Sequence, residues 1–343
     1  MDSDSSSSGD EEVVLAVLLT PSSNAQQLSR FNFGLPSTDP AWKAKFRFEK
    51  EELLVLVDLL KLPNPFPTRQ RYLVSAFEAL CIFLRRMAYP ARLSDLQDLF
   101  GRNETAISSI SNAVLDHLYS TFHHLFQFDH ARLTEATLST YASAIHSQGA
   151  PLHTCVGFID GTVRGTCRPL RHQKYVFNGH KRKHALKYQS VLAPDGIIIH
   201  LSGPFPGTRH DAYILQQSGL LEAASPSLSA NGRHFVFYGD PAYGRQAHIV
   251  APFKGATLSR DEQVFNRRMS EVRVSVEWGF GKIVRYWAFV DFPKNQKLYL
   301  QRLGKMYTMG AFLANVHTCF YGSQTSSFFE LTPPRIEEYL NNL

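Results

Sequence analysis

The chain has 343 residues, 44% hydrophobic and 19% charged, which suffices for a folded core and excludes a mostly disordered, collagen-like or coiled-coil protein. No apolar run approaches the ~18 residues that a membrane-spanning helix needs, so an integral membrane protein is excluded. The net charge is +6, and because residues 1–12 contribute −5, the remaining chain carries +11. Such a basic chain indicates a nucleic-acid partner, or alternatively a protein that merely has an excess of surface lysine.

We expect residues 1–40 to form a disordered arm, because the opening MDSDSSSSGDEE is acidic and serine-rich and buries little apolar surface. Residues 13–19 are apolar, but acids precede them where a secretory signal needs lysine or arginine. Four scattered cysteines fit neither a disulfide framework nor, with the nearby histidines, a common zinc module. The sequence therefore predicts a protein of a reducing compartment.

Residues 41–150 have a helical pattern. Helices are predicted over Glu49–Leu60 and Tyr72–Met87, separated by a proline-rich segment that no helix interior tolerates. A capping box beginning at Ser94 predicts a helix that ends at Gly101, and Asn103 can cap another through Leu118.

This pair predicts a helix-turn-helix at about residues 94–118, or alternatively an ordinary helical hairpin. The second helix carries small side chains suited to base edges but only one nearby cation, Arg102; the small side chains are Thr105, Ser108, Ser109 and Asn112.

From residue 151 to 343 the pattern changes to strands mixed with helices. We predict a strand over His153–Asp160, a hairpin from Leu186–Ala193 and Ile197–Leu201, and a later strand over Phe235–Gly239. Helices are predicted over Asp211–Leu221, Glu262–Tyr286 and Leu298–His317. This order indicates an α/β (α+β) layered domain.

Three acids occupy positions from which they can converge. Asp160 is predicted to close the first strand, Asp240 closes a later strand before Pro241, and Glu277 lies within a helix. Converging carboxylates repel each other and need a shared proton or cation, and hard oxygen ligands favour Mg²⁺ or Mn²⁺. Two such ions can activate water and stabilise the leaving oxygen of a phosphodiester.

Each acid also has a purely structural alternative. The two aspartates can belong to ordinary turns, and Glu277 can pair with Arg273 four residues earlier. Gly279 and Gly281 weaken that alternative, because they cost the helix stability and permit close approach. Asp211 is interpreted as a helix cap or a residue that supports the metal ligands, and alternatively as a fourth acid at the metals.

Residues 164–187 contain eight bases and no acid, with Tyr175 and Phe177 interleaved. This composition predicts a surface that follows phosphates and stacks bases, although a solvated hairpin with a chance charge run has the same composition. The predicted DNA-binding residues are Arg164, Arg168, Arg171, Lys174, Lys181, Arg182, Lys183 and Lys187. Lys181–Lys183 could also act as a short import signal.

Several linked motifs over roughly residues 45–322 resemble the nuclease domain of PIF/Harbinger-type transposases. They include FIDGT at 158–162, NGHKR at 178–182, GPFPGTRHD ending at Asp211, YGDPAYG at 238–244 and VEWGFG at 276–281. The resemblance implies a ribonuclease-H-like core, a mixed sheet flanked by helices, with a DDE triad of Asp160, Asp240 and Glu277. It also implies an all-α N-terminal region with a helix-turn-helix.

The resemblance further implies a Mg²⁺-dependent endonuclease that acts on double-stranded DNA, in line with the two-metal Mg²⁺ or Mn²⁺ site that the carboxylates predict. We expect the protein in the nucleus, with the cytoplasm as an alternative. Water would cut a phosphodiester at the element's end, and the freed 3′-hydroxyl would attack target DNA. We expect Asp211 and Arg273 to support the metal ligands, a homo-oligomer, and a Myb-like partner protein that helps to bind DNA. The alternative is a domesticated relative that binds DNA or protein without cutting.

Overall fold

The computed structural model of the protein describes residues 30–229 and 232–340. Most of the predicted N-terminal arm, residues 1–29, lies outside the described residues. Among the described helices, none combines the length and the apolar character that crossing a membrane would require.

The first half of the described chain is helical, as its pattern predicts. Polar caps set the helix starts: the Ser75 hydroxyl accepts from the backbone N–H of Glu78, and the Asn103 side chain accepts from Ala106. The helices are α1 (Ala41–Phe46), α2 (Lys50–Leu59), α3 (Ala76–Ala88), α4 (Leu93–Phe100), α5 (Glu104–Phe122) and α6 (Glu135–Ser147).

The capping box of α4 lies two residues earlier than predicted, because the Asp95 carboxylate accepts from the backbone N–H of Arg92 at 3.0 Å. The helix ends as predicted at Gly101, whose φ of 63° lies in the left-handed region that glycine adopts without strain.

Residues 30–40, the end of the segment predicted to be a disordered arm, are described in the structure and are anchored to the helical half by Phe31. Phe31 is buried and its ring meets those of Trp42 and Phe46 edge to face at 4.8 and 5.1 Å. Its backbone N–H donates to Leu99 at 2.8 Å. The polarity of the preceding residues obscured this aromatic anchor.

A six-stranded mixed sheet forms the second half. Its strands are β1 (Cys155–Gly165), β2 (Phe177–Asn178), β3 (Lys183–Leu192), β4 (Ile198–Pro206), β5 (Val236–Gly239) and β6 (Ile249–Val250). The order is β2-β3-β1-β5-β6, with β4 also paired to β3. β1 is antiparallel to β3 and parallel to β5, and β5 is parallel to β6. The predicted hairpin of β3 and β4 is confirmed.

The prediction that Asp160 ends the first strand is wrong, because Asp160 lies within β1. It pairs with Ser190, and the ladder continues until Gly165 faces Ala185. Asp160 and Gly161 therefore form no turn. The ten-residue strand β3 provides backbone hydrogen-bond partners for β1 beyond Gly161.

Helices flank the sheet and join the two halves. They are α7 (Gln173–Val176), α8 (Asp211–Gln217), α9 (Leu220–Leu228), α10 (Arg260–Tyr286), α11 (Leu303–Tyr321), α12 (Gln324–Phe328) and α13 (Ile336–Leu340). The rings of Phe122 and Phe312 stack at 5.1 Å, where α5 packs on α11. One hydrophobic core runs through both halves. The mixed α/β fold is confirmed, and its helix-flanked mixed sheet is consistent with a ribonuclease-H-like domain.

Candidate active site

A cavity of about 660 Å³ opens at the carboxyl end of β5, beside the middle of β1. Asp160 and Asp240 both line it, because β1 and β5 are neighbouring parallel strands in which Ile159 faces Gly239. Residues of β2, β3, the loop between them and the segment leading into α8 complete the walls, among them Phe177, His180, Lys181, Lys187, Thr208, Arg209 and Asp211. The structure therefore brings two of the three predicted acids to one cavity.

Asp160 is a half-buried carboxylate held by two partners. Arg273 of α10 donates to its Oδ2 at 3.0 Å, and the backbone N–H of Gly161 donates to its Oδ1 at 2.7 Å. Burial raises the pKa of Asp160, the two donors oppose that increase, and the negative charge of Asp240 adds to it. The charge of Asp240 thus reaches the Asp160 carboxylate.

Asp240 follows β5 in extended backbone, φ −72° and ψ 170°, as predicted for a residue before proline. Its Oδ1 accepts from the backbone N–H of Ala242 at 2.9 Å, which orients the carboxylate at the strand end.

The hydroxyl of Tyr243 lies among three carboxylates. The side chain is almost fully buried, and burial first, then the charges of Asp211, Asp160 and Asp240, raise the pKa of its hydroxyl well above the usual value. Among the described residues this hydroxyl has no hydrogen-bond partner. A buried polar group that lacks a partner and lies beside several carboxylates is expected at a site that binds water or a cation.

Asp211 is the first residue of α8 and reaches back to the sheet. Its Oδ1 lies 2.6 Å from the Nζ of Lys187, which also donates to the carbonyl of Arg209 at 2.9 Å. A side chain on Gly161 would place its Cβ 2.7 Å from the same Asp211 oxygen. A larger residue at position 161 would therefore displace the Asp211 carboxylate from its place against β1.

Glu277 lies apart from the two aspartates. It is exposed on α10, and it lines a second cavity of about 450 Å³ together with Lys282, Arg285 and Asn315. It stands one turn beyond Arg273, so both side chains belong to the same helix face. Arg273 pairs with Asp160 and not, as the structural alternative supposed, with Glu277.

The residues of the first cavity fit a divalent cation by donor chemistry. Asp160 and Asp240 supply hard oxygen ligands, and the buried hydroxyl of Tyr243, which lacks a hydrogen-bond partner among the described residues, lies near both. Within residues 30–229 and 232–340, however, no three His, Cys, Asp or Glu side chains are grouped closely enough to hold a metal ion.

The predicted DNA-binding residues divide into two groups. Arg164 is largely buried and donates to Asp291 at 2.9 Å, and Lys187 is buried against Asp211, so neither contributes to an outer basic surface. The others are exposed: Arg168, Arg171, Lys174, Lys181, Arg182 and Lys183.

The candidate recognition helix α5 offers little positive charge. Arg102 makes two hydrogen bonds to the Glu78 carboxylate, at 2.7 and 2.8 Å, so its charge is neutralised within the protein. Ser109 hydrogen-bonds Gln70, whereas Thr105 is exposed and Ser108 and Asn112 are half-exposed. The helix-turn-helix stays a prediction.

Sequence reasoning overlooked Tyr243 and assigned Lys187 to the wrong environment. The signal for Tyr243 lay in the YGDPAYG motif, three residues beyond Asp240. No local pattern distinguishes Lys187 from the exposed bases, because its partner Asp211 is 24 residues away along the chain.

Comparison with known proteins identifies what the chain is similar to. Residues 159–315 match the family model described as DDE superfamily endonuclease. A protein from Arabidopsis thaliana described as "Protein ALP1-like" is 21% identical over 277 residues, which is 74% of this chain and 65% of the relative, so the chain spans less than two thirds of that relative's length. No solved structure matches the chain significantly. Residues 159–315 therefore resemble a DDE superfamily endonuclease, and the similarity of this chain to a transposase-derived nuclease, inferred from its motifs, is confirmed.

Proposed function

We propose that the protein is a divalent-metal-dependent DNA endonuclease of the Harbinger type, which cuts phosphodiesters at element ends and joins the 3′-hydroxyl to target DNA. The observation that carries this proposal is the shared cavity of Asp160 and Asp240, which come from neighbouring parallel strands. Two carboxylates held this way are a natural cation site.

Asp160 and Asp240 would hold the Mg²⁺ or Mn²⁺ ions of a two-metal site, with Glu277 as the third acid that the family resemblance implies. The support for Glu277 is its place one turn, about 6 Å, from Arg273, whose guanidinium reaches Asp160. Such ions, when bound, activate water and stabilise the leaving oxygen.

The chain's own charged residues prepare the site. Arg273 lowers the pKa of Asp160 against the effect of burial and so favours the ionised carboxylate. Lys187 pairs with Asp211, so this nearby carboxylate carries its own counter-charge. Lys181 and Arg209 are exposed where they line the cavity, and positive side chains there attract a phosphodiester strand.

The test is cleavage of linear DNA with Mg²⁺, Mn²⁺ or EDTA. Asp160→Asn and Asp240→Asn should each lower the rate at least about 100-fold, and Glu277→Gln should do the same. Glu271→Gln, at an exposed position of the same helix, is the matched control. If Asp160→Asn and Asp240→Asn cut like the parent while all variants melt alike, the active-site assignment is wrong.

A second candidate is a domesticated protein that binds DNA or a protein partner and does not cut. It is favoured by one observation: Asp160 and Asp211 are already paired with Arg273 and Lys187, and among the described residues no three His, Cys, Asp or Glu side chains are grouped closely enough to hold a metal ion. Binding that weakens steeply with salt, without any metal-dependent product, would support this candidate.

We further propose a nuclear protein that acts on double-stranded DNA as a homo-oligomer with a Myb-like partner. Exposure of Lys181–Lys183 supports nuclear import, since a receptor can reach these side chains. The absence of lysine and arginine from α5 itself, together with the pairing of Arg102 with Glu78, supports a partner, because another protein would then supply recognition of the element's ends. Substituting Lys181–Lys183 by glutamine in a fluorescent fusion should reduce nuclear accumulation.

A further inference from the structure

An exposed surface next to the candidate active site carries large apolar side chains that soluble proteins usually bury. We name it the ring surface and define it by five residues. Their exposed fractions are 98% for Leu170, 64% for Tyr175, 42% for Phe177, 71% for Tyr299 and 79% for Leu300. Clustered exposure of this kind marks a binding site more often than chance.

Two loops, 166–172 and 297–300, are joined under this surface and enclose a cavity of about 640 Å³. The backbone N–H of Cys167 donates to Gln296 at 2.9 Å, and its thiol donates to the carbonyl of Pro293 at 3.0 Å. His172 and Tyr299 have φ values of 57° and 67°, a region that non-glycine residues rarely adopt. The two loops thus hold His172 and Tyr299 in strained backbone conformations.

The charges around these rings are positive and unpaired. Arg168, Arg171 and Lys297 line the cavity, and Lys174 is exposed close by along the chain. In the described part of the protein, no carboxylate lies within 4 Å of any of these four side chains. Such a surface suits a polyanion that also offers flat apolar faces.

The ring surface is continuous with the candidate active site. Phe177 lines the cavity of Asp160, and so does Thr208, whose hydroxyl donates to the carbonyl of Tyr175 at 3.1 Å. The centroid of the His172 ring lies 5.9 Å from that of Tyr175 and 6.3 Å from that of Tyr299. His172 therefore connects Tyr175, near the candidate active site, to the more distant Tyr299.

We propose that the ring surface binds unpaired nucleotides of a DNA strand whose phosphodiester lies at Asp160 and Asp240; this inference rests on the proposed function. Bases stack on exposed rings only when they are unpaired, and the cations pair with the phosphates between them. The phosphates of a duplex would pair with the cations, but its paired bases would not stack on the rings. A protein partner would have to bury four unpaired charges, which interface cores avoid.

The experiment measures affinity for a fluorescent 12-nucleotide single strand and for the corresponding duplex, in EDTA, so that no cleavage occurs. Tyr175→Ala and Tyr299→Ala should each weaken single-strand binding roughly 5- to 100-fold, the range expected for one lost stacking contact, and change duplex binding less than about twofold. Tyr175→Phe and Tyr299→Phe keep the rings and should bind like the parent. Arg171→Gln should weaken the binding of both the single strand and the duplex, and it should reduce the salt dependence of that binding.

The outcomes separate this inference from the proposed function. Unchanged single-strand affinity in both alanine variants, or an equal loss for single strand and duplex, overturns the ring surface as a base-binding site. If those variants keep DNA binding but lose binding to another protein, the surface serves a protein partner and the inference is wrong. Selective loss of single-strand binding supports it whether or not the parent cuts DNA.

Discussion

An ion pair between Arg273 and Asp160 links helix α10 to the central strand β1. A guanidinium nitrogen of Arg273 lies 3.0 Å from a carboxylate oxygen of Asp160. The residues are 113 positions apart along the chain. The contact explains how a carboxylate largely shielded from water stays available as a ligand, since the guanidinium opposes the increase in pKa that burial and Asp240 cause.

Replacing Arg273 by glutamine should destabilise the protein by about 1–2 kcal/mol at pH 7, because Asp160 would remain half-buried without its cation. The pKa of Asp160 would rise further, so the loss should shrink as the pH falls towards about 4 and the carboxyl becomes protonated. Urea unfolding at both pH values measures this. In the Asp160→Asn background the same replacement should cost less, and an equal cost there would contradict the pairing.

Asn315 should be critical for stability. It is buried in α11, accepts from the backbone N–H of Ile198 at 2.9 Å, and donates to the carbonyl of Ile198 and the hydroxyl of Tyr339 at 2.9 and 3.0 Å. Asn315→Ala leaves these groups buried without partners and should cost roughly 2–4 kcal/mol in the free energy of unfolding. Asn112→Ala, at a half-exposed position, is the control, and a similar loss in both variants would refute the role.

The two glycines after Glu277 should respond differently to alanine. Nothing lies within 4 Å of a Cβ added at Gly281, so Gly281→Ala should stabilise the helix by up to about 1 kcal/mol. A Cβ at Gly279 would meet both terminal carbons of the buried Leu192 at 3.0 Å, which offsets that gain. Thermal unfolding of the pair should therefore rank Gly281→Ala above Gly279→Ala, and the reverse order would contradict the packing.

Lys282 should make stability depend on pH in the alkaline range. Burial lowers its pKa to about 8 while its Nζ donates to Thr318 and Gly322 at 2.8 and 2.7 Å. Between this value and the ordinary lysine value the unfolded chain binds more protons, so the stability of the parent should rise with pH relative to Lys282→Met. Unfolding from about pH 7 to pH 10 tests this.

The matched control is Lys254→Met, which changes an exposed lysine and should leave the pH dependence of unfolding like that of the parent. Parallel stability curves for the parent and Lys282→Met across this range would show that Lys282 is not held in a desolvated position.

Several of the longer helices and strands followed from the sequence by itself, because periodicity, caps and turn residues act over a few positions. The stop at Gly101, the cap at Asn103 and the hairpin turn before Gly196 all lie where their local chemistry requires. The DDE resemblance likewise followed from linked motifs, and the match over residues 159–315 bears it out.

Only the tertiary structure decided which charges meet. Whether Asp160 ends its strand depends on the length of β3, whether Arg273 pairs with Glu277 or Asp160 depends on how α10 packs, and whether Lys187 faces solvent depends on Asp211. Each of these contacts joins residues far apart along the chain. Their energies depend on burial and distance, which local sequence patterns do not encode.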